Sequence, residues 1–199
     1  MNIMFLVVLS SIFLNFQPLT AIMIVIMSLL DDLLIMTITY DNTYVSRKPI
    51  RWQMKKILTT SSILGIFAVI QSTILLVVGY LSAKNSGSIS IFQVGDFAQL
   101  QTIMFLQLVA GGHLLLFVTR QTRWFFQRPF PAKALFWAIV ITQIFAACAC
   151  YFGWLVPRIS LWMICEIWIY NIIWMFVLNI IRMVIEKTQG KSLEGANEK

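Results

Sequence analysis

The sequence predicts an all-α, polytopic transmembrane bundle of six spans, on three observations. Of 199 residues, 59% are apolar and 12% charged, whereas about a quarter of the residues in a soluble domain are charged. The apolar residues gather into five segments close to the roughly 20 residues that cross about 30 Å of hydrocarbon, and a shorter one precedes them. The basic residues fall almost entirely in alternate connections between those segments. Residues 1–186 therefore read as one transmembrane helical domain and residues 187–199 as a polar cytoplasmic tail, frayed as chain ends commonly are.

Residues 1–16 form the short first span. No Lys or Arg precedes it and no small-residue cleavage site follows, so it reads as a helix cut short at its start rather than a signal peptide. Asn15-Phe16-Gln17-Pro18 makes a tight outer turn, because the fixed dihedral of proline suits a turn or a first helical position. The second span is 19–40, and Tyr40-Asp41-Asn42 reads as the turn that stops it. The third is 57–83, followed by the polar outer loop "SAKNSGSISIFQVGD". The fourth is 100–119. After it, "RQTRWFFQRPFPAK" is a basic, aromatic inner loop whose cations can meet anionic headgroups. The fifth and sixth spans are 134–156 and 161–181.

Charge fixes the expected orientation. Arg47, Lys48, Arg51, Lys55 and Lys56 lie in one connection, Arg120, Arg123, Arg128 and Lys133 in another, and Arg182, Lys187, Lys191 and Lys199 after the last span. The opposite side holds only Lys84 and Arg158. The positive-inside rule places both chain ends in the cytoplasm. The net charge of +7 therefore reflects loop asymmetry and does not imply a nucleic-acid partner; the partner implied is the lipid bilayer. Trp52 and Trp124 are expected at the cytoplasmic interface and Trp154 and Trp162 at the outer one. Cys148, Cys150 and Cys165 all fall within apolar spans, and Cys148 and Cys150 point to nearly opposite sides of one helix, so neither a disulfide nor a metal site is expected.

The second span contains "SLLDDLLIMTITYDN", with two adjacent aspartates in an apolar run. Asp31 and Asp32 lie roughly 20 Å from the outer start at 1.5 Å per residue. An ionisable group at that depth costs roughly 2.5 to 3.5 kcal/mol, so it commonly faces a bundle interior or a watery cavity and marks an ion path. At 100° per residue, Ser28, Asp31, Asp32 and Thr39 share a stripe about 100° wide. A carboxyl group withdrawn from water favours its protonated form, and an adjacent carboxylate favours it further. A proton is thus the expected ion. A divalent cation needs about six oxygen ligands, and Glu166 is the one other acid inside a span. Either aspartate could instead satisfy backbone or amide groups across a helix interface.

The remaining polar residues within spans have a structural reading. His113 follows Gly111 and Gly112 and reads as an interhelical hydrogen-bonder, with the glycines allowing close approach. Gln71, Gln101, Gln107, Gln143, Asn171 and Asn179 read as interhelical glue. No Gly-rich phosphate loop, nucleotide motif or metal-spaced His/Cys/carboxylate cluster is present, so no catalytic residue and no cofactor is expected in this chain.

The stretch "NFQPLTAIMIVIMSLLDDLLIMTITYDN" resembles the end of the fifth helix, the turn and the sixth helix of P-type plasma-membrane proton-pumping ATPases. "RWQMKKILTTSSILG" resembles the entry to that family's seventh helix, and "LLLFVTRQTRWFFQRP" the end of its eighth. The resemblance implies a carboxy-terminal ion-translocation domain in which Asp32 matches the proton-accepting carboxylate and Asp31 precedes it. Leu33 and Leu34 occupy the region where many members have a proline. The family's Asp-Lys-Thr-Gly phosphorylation motif, its nucleotide and actuator domains and its four earlier helices are not in these 199 residues. MgATP, the substrate of the intact family member, therefore implies an amino-terminal half as partner, and the resemblance implies a fragment, a split gene product or a remnant in the plasma membrane. A stand-alone carrier, channel or assembly subunit is the alternative.

Overall fold

The computed structural model describes residues 2–41, 54–84, 94, 96–120 and 132–197. It is all helical over those residues: α1 (Asn2–Leu14), α2 (Ala21–Ile38), α3 (Met54–Lys84), α4 (Phe97–Arg120), α5 (Lys133–Phe152) and α6 (Leu161–Asn197). Five of these are long and apolar enough to cross a bilayer, and α1 is a shorter apolar helix. The chain is thus a multi-pass membrane protein. Arg47, Lys48, Arg51, Trp52, Arg123, Trp124, Arg128 and Lys199 lie outside the described residues, as does most of both polar loops.

Local chemistry explains the helix ends. Thr20 is the N-cap of α2, its hydroxyl accepting from the Met23 amide at 3.3 Å, which satisfies one of the orphan donors of a first turn. The turn before it is tied down twice. Ser10 Oγ donates to the Phe16 carbonyl (2.8 Å), and Gln101 Nε2 donates to the Gln17 carbonyl (2.8 Å). Helix α5 stops at Phe152, four residues before the expected end, because Gly153 adopts φ +73° and its N–H returns to the Ala149 carbonyl, the left-handed C-cap that glycine adopts readily. Helix α3 runs past Ser82, and α6 runs past 186 to Asn197, so the expected tail begins as a continuation of the last helix.

Helix α4 is the hub. It packs against α2, α3, α5 and α6, while α1 lies against α3. Leu100, Met104, Phe105, Leu106 and Val109 of α4 are buried in a cluster with Met23 and Met27 of α2, Leu75 and Leu76 of α3, and Ile164 and Ile167 of α6. A Cβ on Gly79 would stand 2.4 Å from Leu100 Cδ1, so α3 and α4 meet closely there. By contrast α2 keeps most of its surface uncovered, burying Met23, Met27, Leu30 and Leu34 along one narrow side.

The end of α2 does more than stop a helix. Asp41 Oδ1 accepts from the Ala132 amide at 3.0 Å, and Ala132 is the N-cap of α5. The amide it holds is that of the N-cap residue itself, so Asp41 ties the end of α2 to the start of α5 and places its carboxylate near the positive end of the α5 dipole. Asp41→Ala is expected to destabilise the folded bundle by about 1 kcal/mol, with Asp41→Asn costing less. Denaturation of the detergent-solubilised chain measures it, and equal stability of wild type and Asp41→Ala would deny this tie a part in holding the bundle together.

Candidate ion site within the bundle

The four predicted site residues do not share one environment. Ser28, Asp32 and Thr39 are exposed on the side of α2 that faces away from the other described helices. Thr39 Oγ1 donates to the Met36 carbonyl (2.7 Å), so its hydroxyl is engaged with its own helix. Asp31, 100° round from Asp32, is half-buried at the edge of that face. Its Oδ1 lies 3.5 Å from Nε2 of the buried His113 on α4. This contact is of ion-pair range without being a hydrogen bond, since His113 Nε2 has no hydrogen-bond partner.

On its other side His113 meets α5. Nδ1 lies 2.7 Å from Gln143 Nε2 and 3.5 Å from Thr142 Oγ1. The same Gln143 nitrogen donates to the Val109 carbonyl at 3.3 Å, whereas Gln143 Oε1 is buried without a partner. Three helices therefore converge on one imidazole: α2 through a carboxylate, α5 through an amide, and α4 through the ring itself.

A second polar group joins α3, α4 and α6. Gln71 Nε2 donates to Asn171 Oδ1 (2.9 Å), Tyr170 Oη donates to the Gln71 carbonyl (2.7 Å), and Gln107 Nε2 donates to Ser72 Oγ (3.3 Å). Gly111 is what allows this, because a Cβ there would stand 3.0 Å from Asn171 Oδ1. The adjacent Gly112 has nothing within 4 Å of its Cβ position, so only one of the two glycines serves close approach. Amide pairs of this kind hold helices together where lipid supplies no hydrophobic drive.

Sequence reasoning missed Arg182. Counted as a loop cation, it lies inside α6, 5% exposed, donating to the Val118 carbonyl of α4 and to Glu186 Oε1 at 3.1 Å. The i,i+4 spacing of Arg182 and Glu186 was the available signal. The exposed Lys187, one turn on, shows where the polar end of α6 begins. Among the described residues no three His, Cys, Asp or Glu side chains gather as metal ligands, and the three cysteines are free. Of the groups that do converge, the carboxylate and the imidazole can each take up a proton, while the amides only donate and accept hydrogen bonds.

No family model matches the chain. It is 33% identical over 186 residues, 94% of its length, to a protein of Methanocaldococcus jannaschii named as a cation-transporting ATPase. It is 28% identical over 157 residues to plasma membrane ATPase 2 of Schizosaccharomyces pombe, and 26% identical over 150 residues to the plasma membrane ATPase of Neurospora crassa, covering 78% and 75% of the chain. The chain spans 22%, 15% and 16% of the length of these relatives.

The α4–α6 contact is open to direct measurement. Gly111→Ala is expected to part Gln71 from Asn171 and destabilise the bundle by about 1 to 2 kcal/mol. The loss should shrink in an Asn171→Ala background, where the crowded oxygen is gone. Undiminished loss in that background, read by denaturation in micelles, would place the strain elsewhere.

Proposed function

The chain is a homologue of the P-type cation-transporting ATPases, and from that premise we propose that it is the carboxy-terminal ion-translocation domain of an ATP-driven proton pump. Asp32 is the proton acceptor in this reading, with Asp31 beside it in the sequence. Ser28 and Thr39 mark the polar side of α2 along which the proton moves. ATP hydrolysis belongs to the rest of the pump, which holds MgATP and the phosphorylation machinery, and this chain contributes no catalytic residue.

The observation that carries the reading is the position of Asp32, nine residues before Asp41 in the "DDLLIMTITYDN" run, on a helix face the described bundle leaves uncovered. A carboxylate facing hydrocarbon costs roughly 2.5 to 3.5 kcal/mol. Helices from the amino-terminal half of the pump packing on this face would relieve that cost and enclose Asp32 in a pathway. Phosphorylation elsewhere would then tilt these helices so that Asp32 opens first to the cytoplasm and then to the outside, each state favouring one protonation form. In this arrangement the chain lies in the plasma membrane with both ends in the cytoplasm, the sense set by the basic connections.

Replacing Asp32 by Asn in a complete pump containing this chain is expected to abolish proton transport while leaving membrane insertion intact. Vesicle acidification driven by ATP reads the first and membrane fractionation the second. Full proton pumping by the variant would reject Asp32 as the acceptor. Tags fused at either end are expected to be protease-resistant in sealed right-side-out vesicles, and digestion of either tag from outside would reverse the orientation.

A further inference from the structure

The two nitrogens of His113 meet different chemistry. Nδ1 faces Gln143 Nε2 at 2.7 Å. A side-chain amide nitrogen carries two N–H groups and accepts nothing. The other N–H of Gln143 goes to the Val109 carbonyl, so the amide is pinned with its donors toward both groups. Nδ1 must therefore present its lone pair, and in a neutral ring the proton then belongs to Nε2. That Nε2 is buried without a hydrogen-bond partner and lies 3.5 Å from Asp31 Oδ1.

We propose that Asp31, His113 and Gln143 form a proton-binding site separate from Asp32, in which the orientation of the Gln143 amide decides which group takes the proton. In the empty site the Asp31 carboxylate faces the Nε2–H of a neutral imidazole. A proton arriving from water cannot add at Nδ1, because an N–H there would point at another N–H. It bonds instead to a carboxylate oxygen of Asp31, giving the neutral acid. If the amide turns over, Gln143 Oε1, now an unused buried acceptor, faces Nδ1. The proton then adds to the Nδ1 lone pair, giving an imidazolium opposite the Asp31 carboxylate, while the Val109 carbonyl loses its donor. One proton is bound in either case, and only the O–H or N–H bond differs.

Among the described residues, the groups recorded against the ring come from two neighbouring helices. From α2 it meets Asp31, and from α5 Thr142 and Gln143. On α6 the charged pair Arg182 and Glu186 is engaged at Val118, five residues further along α4. The charges of α3 lie near its ends, at Lys55, Lys56 and Lys84. The site goes beyond the Asp32 reading and does not need it, because Asp32 is turned away toward the exposed side of α2.

His113 is the only histidine in the chain, so 15N-histidine labelling reports on it alone. The full chain in lipid nanodiscs is observed by 15N NMR, with infrared detection of carboxylic-acid bands, at neutral and acid pH. Wild type is expected to show a lone-pair Nδ1 and an Nε2–H at both, and to gain on acidification a component of the acid bands that is missing from the same difference spectrum of Asp31→Asn. In Gln143→Met, which removes the donor to Nδ1, acidification is expected to turn both nitrogens into N–H. Asp32→Asn is expected to leave the imidazole signals unchanged, which separates this site from a failure of the Asp32 reading in transport. A proton on Nδ1 in the neutral wild type would overturn the proposal, and needs no variant to fold. So would acidification difference bands identical in wild type and Asp31→Asn, identical imidazole states in wild type and Gln143→Met, or a tautomer altered by Asp32→Asn.

Discussion

In an apolar bundle a polar side chain removed from water is held by partners inside the protein, and the architecture here follows from the partners that α4 finds, although Gln107 Oε1 and His113 Nε2 are buried without a hydrogen bond. The helix carries Thr102, Gln107 and His113, all buried, and each is answered by a different neighbour. Thr102 Oγ1 donates to the Pro157 carbonyl beyond α5 (2.9 Å). Gln107 reaches Ser72 on α3, and His113 reaches Gln143 on α5. Because an unpaired polar group in hydrocarbon costs several kcal/mol, these contacts fix which helix lies where more firmly than apolar packing against equally apolar lipid. The same logic extends to the ends of the spans. Gln101 ties α4 to the first turn, Arg182 closes the carbonyl end of α4, and Asp41 holds the amide at the start of α5.

Much of this was legible in the sequence, for a simple reason. Spanning helices advertise themselves through unbroken apolar length, and five long apolar helices with a short one before them are present where hydropathy placed them. Boundaries drifted where local chemistry overrides hydropathy. Residues 153–156 are apolar enough to continue α5, yet Gly153 and Leu155 take positive φ and the chain turns. Arg182 looked like the first residue outside the membrane because charge marks loops, and here a carbonyl and a glutamate hold that charge within the helix.

The site was legible only in its membership. Helical periodicity places Asp31 and Asp32 on neighbouring lines of α2, but it cannot say which line faces the bundle. That depends on which side of α2 is lined by Met23, Met27, Leu30 and Leu34, a set hardly more apolar than the Ile, Leu and Val of the opposite side. The pairing of Asp31 with His113 joins residues 82 positions apart on separate helices, so no local pattern could have announced it. His113 and Gln143 were both visible as interhelical hydrogen-bonders, and each now proves to be the partner of the other.

The separation of the two aspartates has a mechanical consequence. A rotation of α2 about its axis by the full 100° or so between them would exchange which carboxylate faces α4. The narrow strip of contact along Met23, Met27, Leu30 and Leu34 offers less resistance to that rotation than the many-sided packing of α4. Asp41, hydrogen-bonded to the start of α5 at 3.0 Å, anchors one end of α2, and the turn held by Ser10 and Gln101 anchors the other. Both ends of α2 are thus tied to neighbouring segments, and a roll of that size would have to strain or break the hydrogen bonds that hold them.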